Sequence, residues 1–387
     1  FVDDEVDVLA GLRRSLRRQR KTWQMRFESD PLRALEVVDD GGADVIVSDL
    51  RMPRFDGVEL LRRIRERHPE VIRVVLSGYA EASQEREAYH LAHRFLPKPC
   101  PPEQLVSTLR QAVELRGLLT SPQLRNLVGG VDELPAVPEI YAQLSTALHD
   151  HDTEAADVAR LISTDAALVA AVLRAANSAM FARLQPVSRV RDAVVHLGRR
   201  LVTMMVLGMS AHRSFERLGV PRAEVRRVQA RALTTADLAA RIVARGGREH
   251  AYAAGMLHDI GQLVLSVTLG ERYVHLRRRA RDEGLRLVDV ETAELGAHHA
   301  TVGGYLLGLW GLPGAVVAAV SAHHDDRRPA DEPPATRAVY LAQRVVGALR
   351  GGEHVDGETL TAWGFGRAER LQAEDWLAHQ GQSTRRW

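Results

Sequence analysis

Three short runs of apolar, mostly β-branched residues constrain this chain most, because each stops at a residue with committed chemistry. Val45-Ile46-Val47-Ser48 runs into Asp49. Val71-Ile72-Arg73-Val74-Val75-Leu76 runs into Ser77-Gly78, and Phe95-Leu96 runs into Pro97-Lys98-Pro99. Between them lie helical patterns, as in Val58 to His68, where Leu60, Leu61 and Ile64 share one face. Short strands alternating with helices imply βα units and a doubly wound parallel sheet. In such sheets the reactive crevice lies beyond the carboxyl ends of the strands. Asp3, Asp4, Asp49, Ser77 and Lys98 all fall at such ends. A helix from about Glu103 to Leu118 closes this first domain, residues 1–118.

Beyond it the character changes. Residues 119–132 read as a linker broken by Ser121-Pro122 and Gly129-Gly130. From residue 133 to about 350 the patterns are almost all helical, as in Val158 to Ile162, Ala166 to Ala176, Leu233 to Val243 and Val302 to Leu309. This predicts an all-α domain over 133–330 and a helical extension over 331–387.

A length of 387 residues allows two or three domains, and 45% hydrophobic with 26% charged residues is an ordinary globular composition. The net charge of +2 carries no global nucleic-acid signal, and the basic runs Arg13 to Lys21 and Arg277 to Arg281 read as solvated helix faces. The one cysteine, Cys100, excludes an intrachain disulfide and fits a reducing cytoplasm. No run of about 18 apolar residues marks a membrane span, and no signal peptide is visible. The opening Phe1-Val2-Asp3-Asp4 lacks a Met and leaves little room for a first strand, so a few residues are expected to precede it.

Carboxylates gathered at strand ends repel one another unless a divalent cation sits among them, and oxygen ligands suit Mg2+. A lysine opposite them can balance a transferred phosphoryl group, and a serine hydroxyl can donate to it. Singly, Asp3 and Asp4 could be N-caps, Asp49 a turn residue and Lys98 a surface charge; together they suit phosphoryl transfer to a carboxylate.

Phe1-Val-Asp-Asp-Glu5, Ser48-Asp-Leu-Arg-Met-Pro53 with Asp56-Gly57, Leu76-Ser-Gly78 and Phe95-Leu-Pro-Lys-Pro99 resemble the receiver domain of response regulators. The resemblance implies a flavodoxin-like fold with five parallel strands. It implies Asp49 as phosphoacceptor, and Mg2+ held by the side chains of Asp4 and Asp49, the carbonyl of Arg51 and, through water, Asp3. It places Ser77 and Lys98 on the phosphoryl group and makes Phe95 the aromatic that reorients on activation. A sensor histidine kinase is the implied phosphodonor.

The second domain holds His258-Asp259-Ile260-Gly261, His298-His299 and His323-His324-Asp325. Imidazole with carboxylate suits first-row transition metals. Adjacent residues on one helix diverge by about 100°, so His258 and Asp259 could share an ion only in a site enclosed by other helices, or else bridge two. Leu134-Pro-Ala-Val-Pro138, Leu173-Arg-Ala-Ala-Asn-Ser178, Gly255-Met-Leu-His-Asp-Ile-Gly261, His299 with Val302-Gly303, Trp310-Gly-Leu-Pro313 and His323-His324 resemble the HDOD branch of the HD superfamily.

Departures from the hydrolytic members of that superfamily matter. Arg231-Ala-Leu-Thr-Thr235 has no histidine where those enzymes carry one, so Leu233 and Thr234 stand where a ligand should be. Gln343 replaces a late aspartate, Gln262 replaces a lysine, and no Gly-Tyr-Pro follows His324. A degenerate site is therefore expected at His258, Asp259, His299, His323 and His324, with His258 and Asp259 a buried pair. His298, His323 and His324 are expected to be partly exposed or structural, and Trp310 and Leu312 core.

The chain reads as a two-component response regulator, cytoplasmic, whose HDOD output works through contacts with downstream signalling or regulatory proteins. Homodimerisation is left open. The rival reading is a metal-dependent HD-type phosphohydrolase acting on a cyclic dinucleotide or nucleotide. DNA binding is not expected, because no helix-turn-helix with a basic recognition helix is evident.

Overall fold

The computed structural model describes residues 1–53, 55–68, 70–77, 88, 91–118, 138–149, 153–177, 186–243, 247–326 and 332–349. They form two compact units, the first holding Phe1–Thr146 with Leu307–Gly311 and the second the rest of the described residues from Ala147 onward. The interdomain linker and most of the C-terminal extension expected from the sequence lie outside the described residues, as do Gly78 and most of the Leu134–Pro138 motif.

In the first unit the three apolar runs become strands β1 (Val45–Asp49), β2 (Ile72–Ser77) and β3 (Arg94–Pro97). They are parallel, in the order β1-β2-β3, with Asp49 level with Leu76 and Ser77 level with Pro97. This register brings the three carboxyl ends to one edge. Buried Val47, Val74 and Val75 explain the unbroken apolar runs, since a parallel sheet is covered on both faces.

The expected five-stranded sheet is not what the described residues form; they form three strands. The missing two are reduced to isolated parallel bridges, Val2 with Ser48 on one side and with Glu28 on the other. Val2 N donates to Val47 O at 2.8 Å and Asp49 N to Val2 O at 2.9 Å.

Helices cover the sheet. Pro31–Asp39 is capped by Asp30, whose carboxylate accepts from Leu32 N at 2.9 Å, and Gly57–Arg67 is capped by Asp56, which accepts from Glu59 N at 2.8 Å. The latter buries Leu60, Leu61 and Ile64, the face read from the sequence. Pro102–Leu118 closes the unit.

The second unit is helical throughout its described residues. Its centre is built from the helices Arg199–Arg217, Arg222–Ile242, Arg248–Leu257, Ile260–Leu269, Leu287–Leu295, His299–Leu309, Gly314–Ala322 and Pro334–Leu349. Arg222–Ile242 packs on both Arg248–Leu257 and Pro334–Leu349. The buried side chains Ala232, Ala236, Ala239, Ala251, Ala254, Ala338 and Ala342 are small, which lets these helices approach closely. Trp310 and Leu312 are buried, as expected. No described helix is long and apolar enough to cross a membrane.

Candidate functional site

Two polar clusters stand out, one in each unit. The first sits at the carboxyl edge of the sheet. Asp3, buried, and the partly buried Asp4 and Asp49 each offer a carboxylate oxygen within 4.8 Å of the others. Lys98 Nζ lies 2.8 Å from Asp3 Oδ2 and 2.8 Å from Asp49 Oδ1. Burial alone would lower the Lys98 pKa, but hydrogen bonds to Asp3 and Asp49 outweigh it and the net shift is upward, so the ammonium is held charged. Backbone donors orient the acids: Glu5 N gives to Asp3 Oδ1 at 3.0 Å and Arg51 N to Asp49 Oδ2 at 3.2 Å.

Gly57 allows the loop after β1 to fold back. A Cβ there would stand 2.0 Å from Asp49 O and 2.8 Å from Leu50 Cα. The sequence signal Asp56-Gly57 therefore reports a backbone contact under the acid itself. Ser77 ends β2 beside this edge, and only its backbone is among the described features. Phe95, on β3, is partly buried against the core of the unit. Three carboxylates against one ammonium leave two formal negative charges, a setting that fits a hard divalent cation.

The second cluster is centred on Asp259, which is fully buried. Helix Arg248–Leu257 stops before His258 and Ile260–Leu269 begins after Asp259, whose φ of −94° and ψ of 7° lie off the helix. The two neighbours do not diverge, and His258 Nε2 lies 3.3 Å from Asp259 Oδ2. His299 Nε2 is 3.3 Å and His323 Nε2 3.9 Å from Asp259 Oδ1. His324 Nε2 lies 3.1 Å from His299 Nε2.

His323 is completely buried, the structural one of the two alternatives expected for it, because it ends helix Gly314–Ala322 inside the bundle. His298 is partly exposed, as expected. His258 Nδ1 meets Gly255 O at 2.8 Å and His323 Nδ1 meets Val320 O at 2.6 Å. A carbonyl only accepts, so each Nδ1 carries its proton, and both Nε2 atoms are buried without a hydrogen-bond partner.

Two members of this cluster were not read from the sequence as its participants. Glu291 is buried and takes three donors: His299 N at 2.9 Å and His299 Nδ1 at 2.7 Å on Oε2, and Tyr273 OH at 2.6 Å on Oε1. Burial opposes charge on His299, but Glu291 and Asp259 overcome it and raise its pKa to about 9. Burial pushes His323 and His324 well below the usual histidine range.

The other is Arg231. Its Nε lies 3.3 Å from Asp259 Oδ2 and its Nη2 donates to Gln343 Oε1 at 3.2 Å. Burial would raise the Asp259 pKa, yet Arg231, His258 and His299 hold it well below the usual range. Leu233 and Thr234, expected at the ligand position, instead face outward; Leu233 is 45% exposed and Thr234 Oγ1 donates to Ala230 O. They stand about 200° and 300° around the helix from Arg231. Gln262 Nε2 donates to Asp259 Oδ1 at 2.8 Å, and Gln343 Nε2 donates to His323 O at 3.0 Å.

Gly261 makes the pocket possible. A Cβ there would stand 1.9 Å from His299 O and 2.7 Å from Gly303 N, so helices Ile260–Leu269 and His299–Leu309 touch backbone to backbone beside Asp259.

Comparison with known proteins agrees with this division. The model of the response regulator receiver domain matches residues 1–110, and that of the HDOD domain matches residues 134–326. The hydrogenase transcriptional regulatory protein HoxA of Cupriavidus necator is 38% identical over 119 residues, 30% of this chain and 24% of HoxA, so the chain spans only about a quarter of that relative. An HDOD domain protein of unknown function from Geobacter sulfurreducens shares the fold with a TM-score of 0.55 at 24% identity, over 72% of this chain and 96% of that one. A Shewanella amazonensis protein described as a candidate phosphohydrolase aligns with a TM-score of 0.53 at 21% identity, over 69% of this chain and 97% of that one. The chain therefore belongs to the response regulators in which a receiver domain is joined to an HDOD domain.

Proposed function

We propose that Asp49 accepts a phosphoryl group from a sensor histidine kinase, and that the HDOD domain passes the signal on through protein contacts rather than by hydrolysis. The observation that carries the first part is the Lys98 ammonium placed 2.8 Å from both Asp3 and Asp49. In this reading an Asp49 carboxylate oxygen attacks phosphorus as the bond to the kinase histidine breaks. Lys98 offsets the added charge, and Ser77 donates to a phosphoryl oxygen. Mg2+ would be held by Asp4, Asp49 and the Arg51 carbonyl, with Asp3 behind water, and would supply charge neutralisation to the incoming phosphoryl group. Phosphorylation adds roughly 1.5 to 2 negative charges. Phe95, at the next strand end, is the side chain proposed to respond.

The non-hydrolytic output is supported by Gln343, which stands in place of an expected aspartate, and by Arg231, which bonds Gln343 at 3.2 Å and lies 3.3 Å from Asp259. The test is labelling with a small-molecule phosphodonor in Mg2+. Asp49→Asn is expected to abolish the hydroxylamine-sensitive label, and EDTA to do the same to the parent chain. A label that survives Asp49→Asn would refute the assignment.

A further inference from the structure

The His-Asp pocket of the helical unit has the donors of a metal site, yet a charged side chain already stands among them. The donors are His258 Nε2 and His323 Nε2, both buried and unpartnered, with Asp259 between them at 3.3 Å and 3.9 Å. Asp259, His299, His323 and His324 also group within ligand distance of one another. That donor set suits a first-row transition metal.

Against it stands the guanidinium of Arg231. It comes from the neighbouring helix Arg222–Ile242 and reaches Asp259 Oδ2 at 3.3 Å. Gln343 Oε1, on helix Pro334–Leu349, receives its Nη2 and so holds the head group in place. An arginine stays charged throughout the accessible pH range and cannot act as a metal ligand. A divalent ion on Asp259 would lie within a few ångströms of that fixed charge in a buried site, where Coulomb repulsion is poorly screened. The residues present therefore do not fit a resident metal ion.

We infer that Arg231 is the built-in cation of this pocket, taking the electrostatic place of a metal on Asp259 and keeping divalent ions out. Arg231 is thus a positioning residue: it neutralises Asp259 and ties the helices Arg222–Ile242 and Pro334–Leu349 to the His258-Asp259 break. This deepens the non-hydrolytic reading of the HDOD domain and rests on it. The same geometry makes the site convertible. Once the guanidinium is removed, Asp259 Oδ2 and the two imidazole nitrogens His258 Nε2 and His323 Nε2 lose the cation beside them, while His299 and Gln262 remain on Oδ1.

The test uses the full chain and Co2+, whose visible d–d absorption reports imidazole and carboxylate ligation. The parent protein and Arg231→Lys, which keeps a cation, are expected to hold no stoichiometric Co2+ after dialysis and to show no d–d band. Arg231→Ala and Arg231→His are expected to bind one equivalent, to lose it when His258→Ala is added, and to melt higher in Co2+. At a hundredfold excess over Kd the rise should be roughly 5–10 °C.

If Arg231→Ala folds poorly alone, Co2+ is expected to restore its helical circular dichroism. Failure to restore it, together with no binding by Arg231→His, overturns the inference. One equivalent of Co2+ in the parent protein, lost in His258→Ala, overturns it as well. Such binding by the parent without turnover of a phosphodiester such as bis(p-nitrophenyl) phosphate would sink only this inference. Turnover abolished by His258→Ala would sink the non-hydrolytic reading too.

Discussion

Gly261→Ala offers the sharpest test of how the His-Asp pocket is built. The added Cβ would stand 1.9 Å from His299 O, 2.8 Å from His299 C and 2.7 Å from Gly303 N. Every one of these atoms is backbone, so no rotamer change relieves the clash. Ordinary contact requires helices Ile260–Leu269 and His299–Leu309 to part locally by roughly 1.5 Å, given carbon contacts near 3.5 Å. Overpacking of this kind costs about 1–3 kcal/mol, and a backbone clash belongs at the upper end. Alanine recovers about 1 kcal/mol of helix propensity relative to glycine. The net loss is then about 2 kcal/mol, or roughly 4–8 °C in the melting temperature of a helical unit of this size.

The carbonyl that must move belongs to His299, whose amide and ring both bond Glu291, so the shift also weakens that pair. The assay is thermal and urea unfolding followed by circular dichroism. Gly347→Ala is the control, because a Cβ at Gly347 meets nothing within 4 Å; it should be neutral or slightly stabilising. Gly261→Ala as stable as Gly347→Ala would refute the claim that the two backbones touch at this point.

Three further outcomes are expected from the geometry. Lys98→Met leaves the buried Asp3 and the partly buried Asp49 facing Asp4 with no ammonium among them, so stability in EDTA should fall by about 2–4 kcal/mol and recover in part with Mg2+, measured by urea unfolding. Gly57→Ala places a Cβ 2.0 Å from Asp49 O and should slow phosphodonor labelling while destabilising the receiver unit by about 2 kcal/mol. His299, raised to about 9, holds its proton in the folded state where an unfolded histidine near 6.5 has lost it. Its contribution is therefore complete below about pH 6.5 and fades as pH climbs to about 9, by at most about 1.4 kcal/mol per pH unit and on the order of 3 kcal/mol in all. The difference in unfolding free energy between the parent and Glu291→Gln, which removes the charge on His299's partner, should show this slope; parallel pH profiles would disprove it.

Much of the first unit was legible because its signals are local. The runs Val45 to Ser48 and Val71 to Leu76 became β1 and β2, and the face of Leu60, Leu61 and Ile64 became the buried side of Gly57–Arg67. A parallel sheet puts all its carboxyl ends on one edge, so the convergence of Asp3, Asp49 and Lys98 could be read before any coordinates. The number of strands could not. Whether Val2 and Glu28 extend into ladders depends on how many residues pair across the sheet, and here Val2 makes only isolated bridges to Ser48 and Glu28.

The helical unit divides differently. Its type and its key histidines were readable from periodicity and motif. A retrospective signal exists even for the residues that were missed: Glu291 sits on the apolar face with Val288 and Leu295, and Arg231 on the face with Val228 and Thr235. A lone charge on a buried helix face calls for a partner, but the sequence does not name it.

Only the tertiary structure paired Glu291 with His299 across the turn between two consecutive helices, and Arg231 with Asp259 and Gln343 across helices well separated in the chain. The physical reason is one of range. Strand and helix propensities act over a few residues, so the sequence alone carried the phosphoacceptor edge and the helical character of the rest. Which charge balances which carboxylate in a buried pocket depends on which helices pack together and on where a helix breaks. That was decided between His258 and Asp259 only when the chain folded.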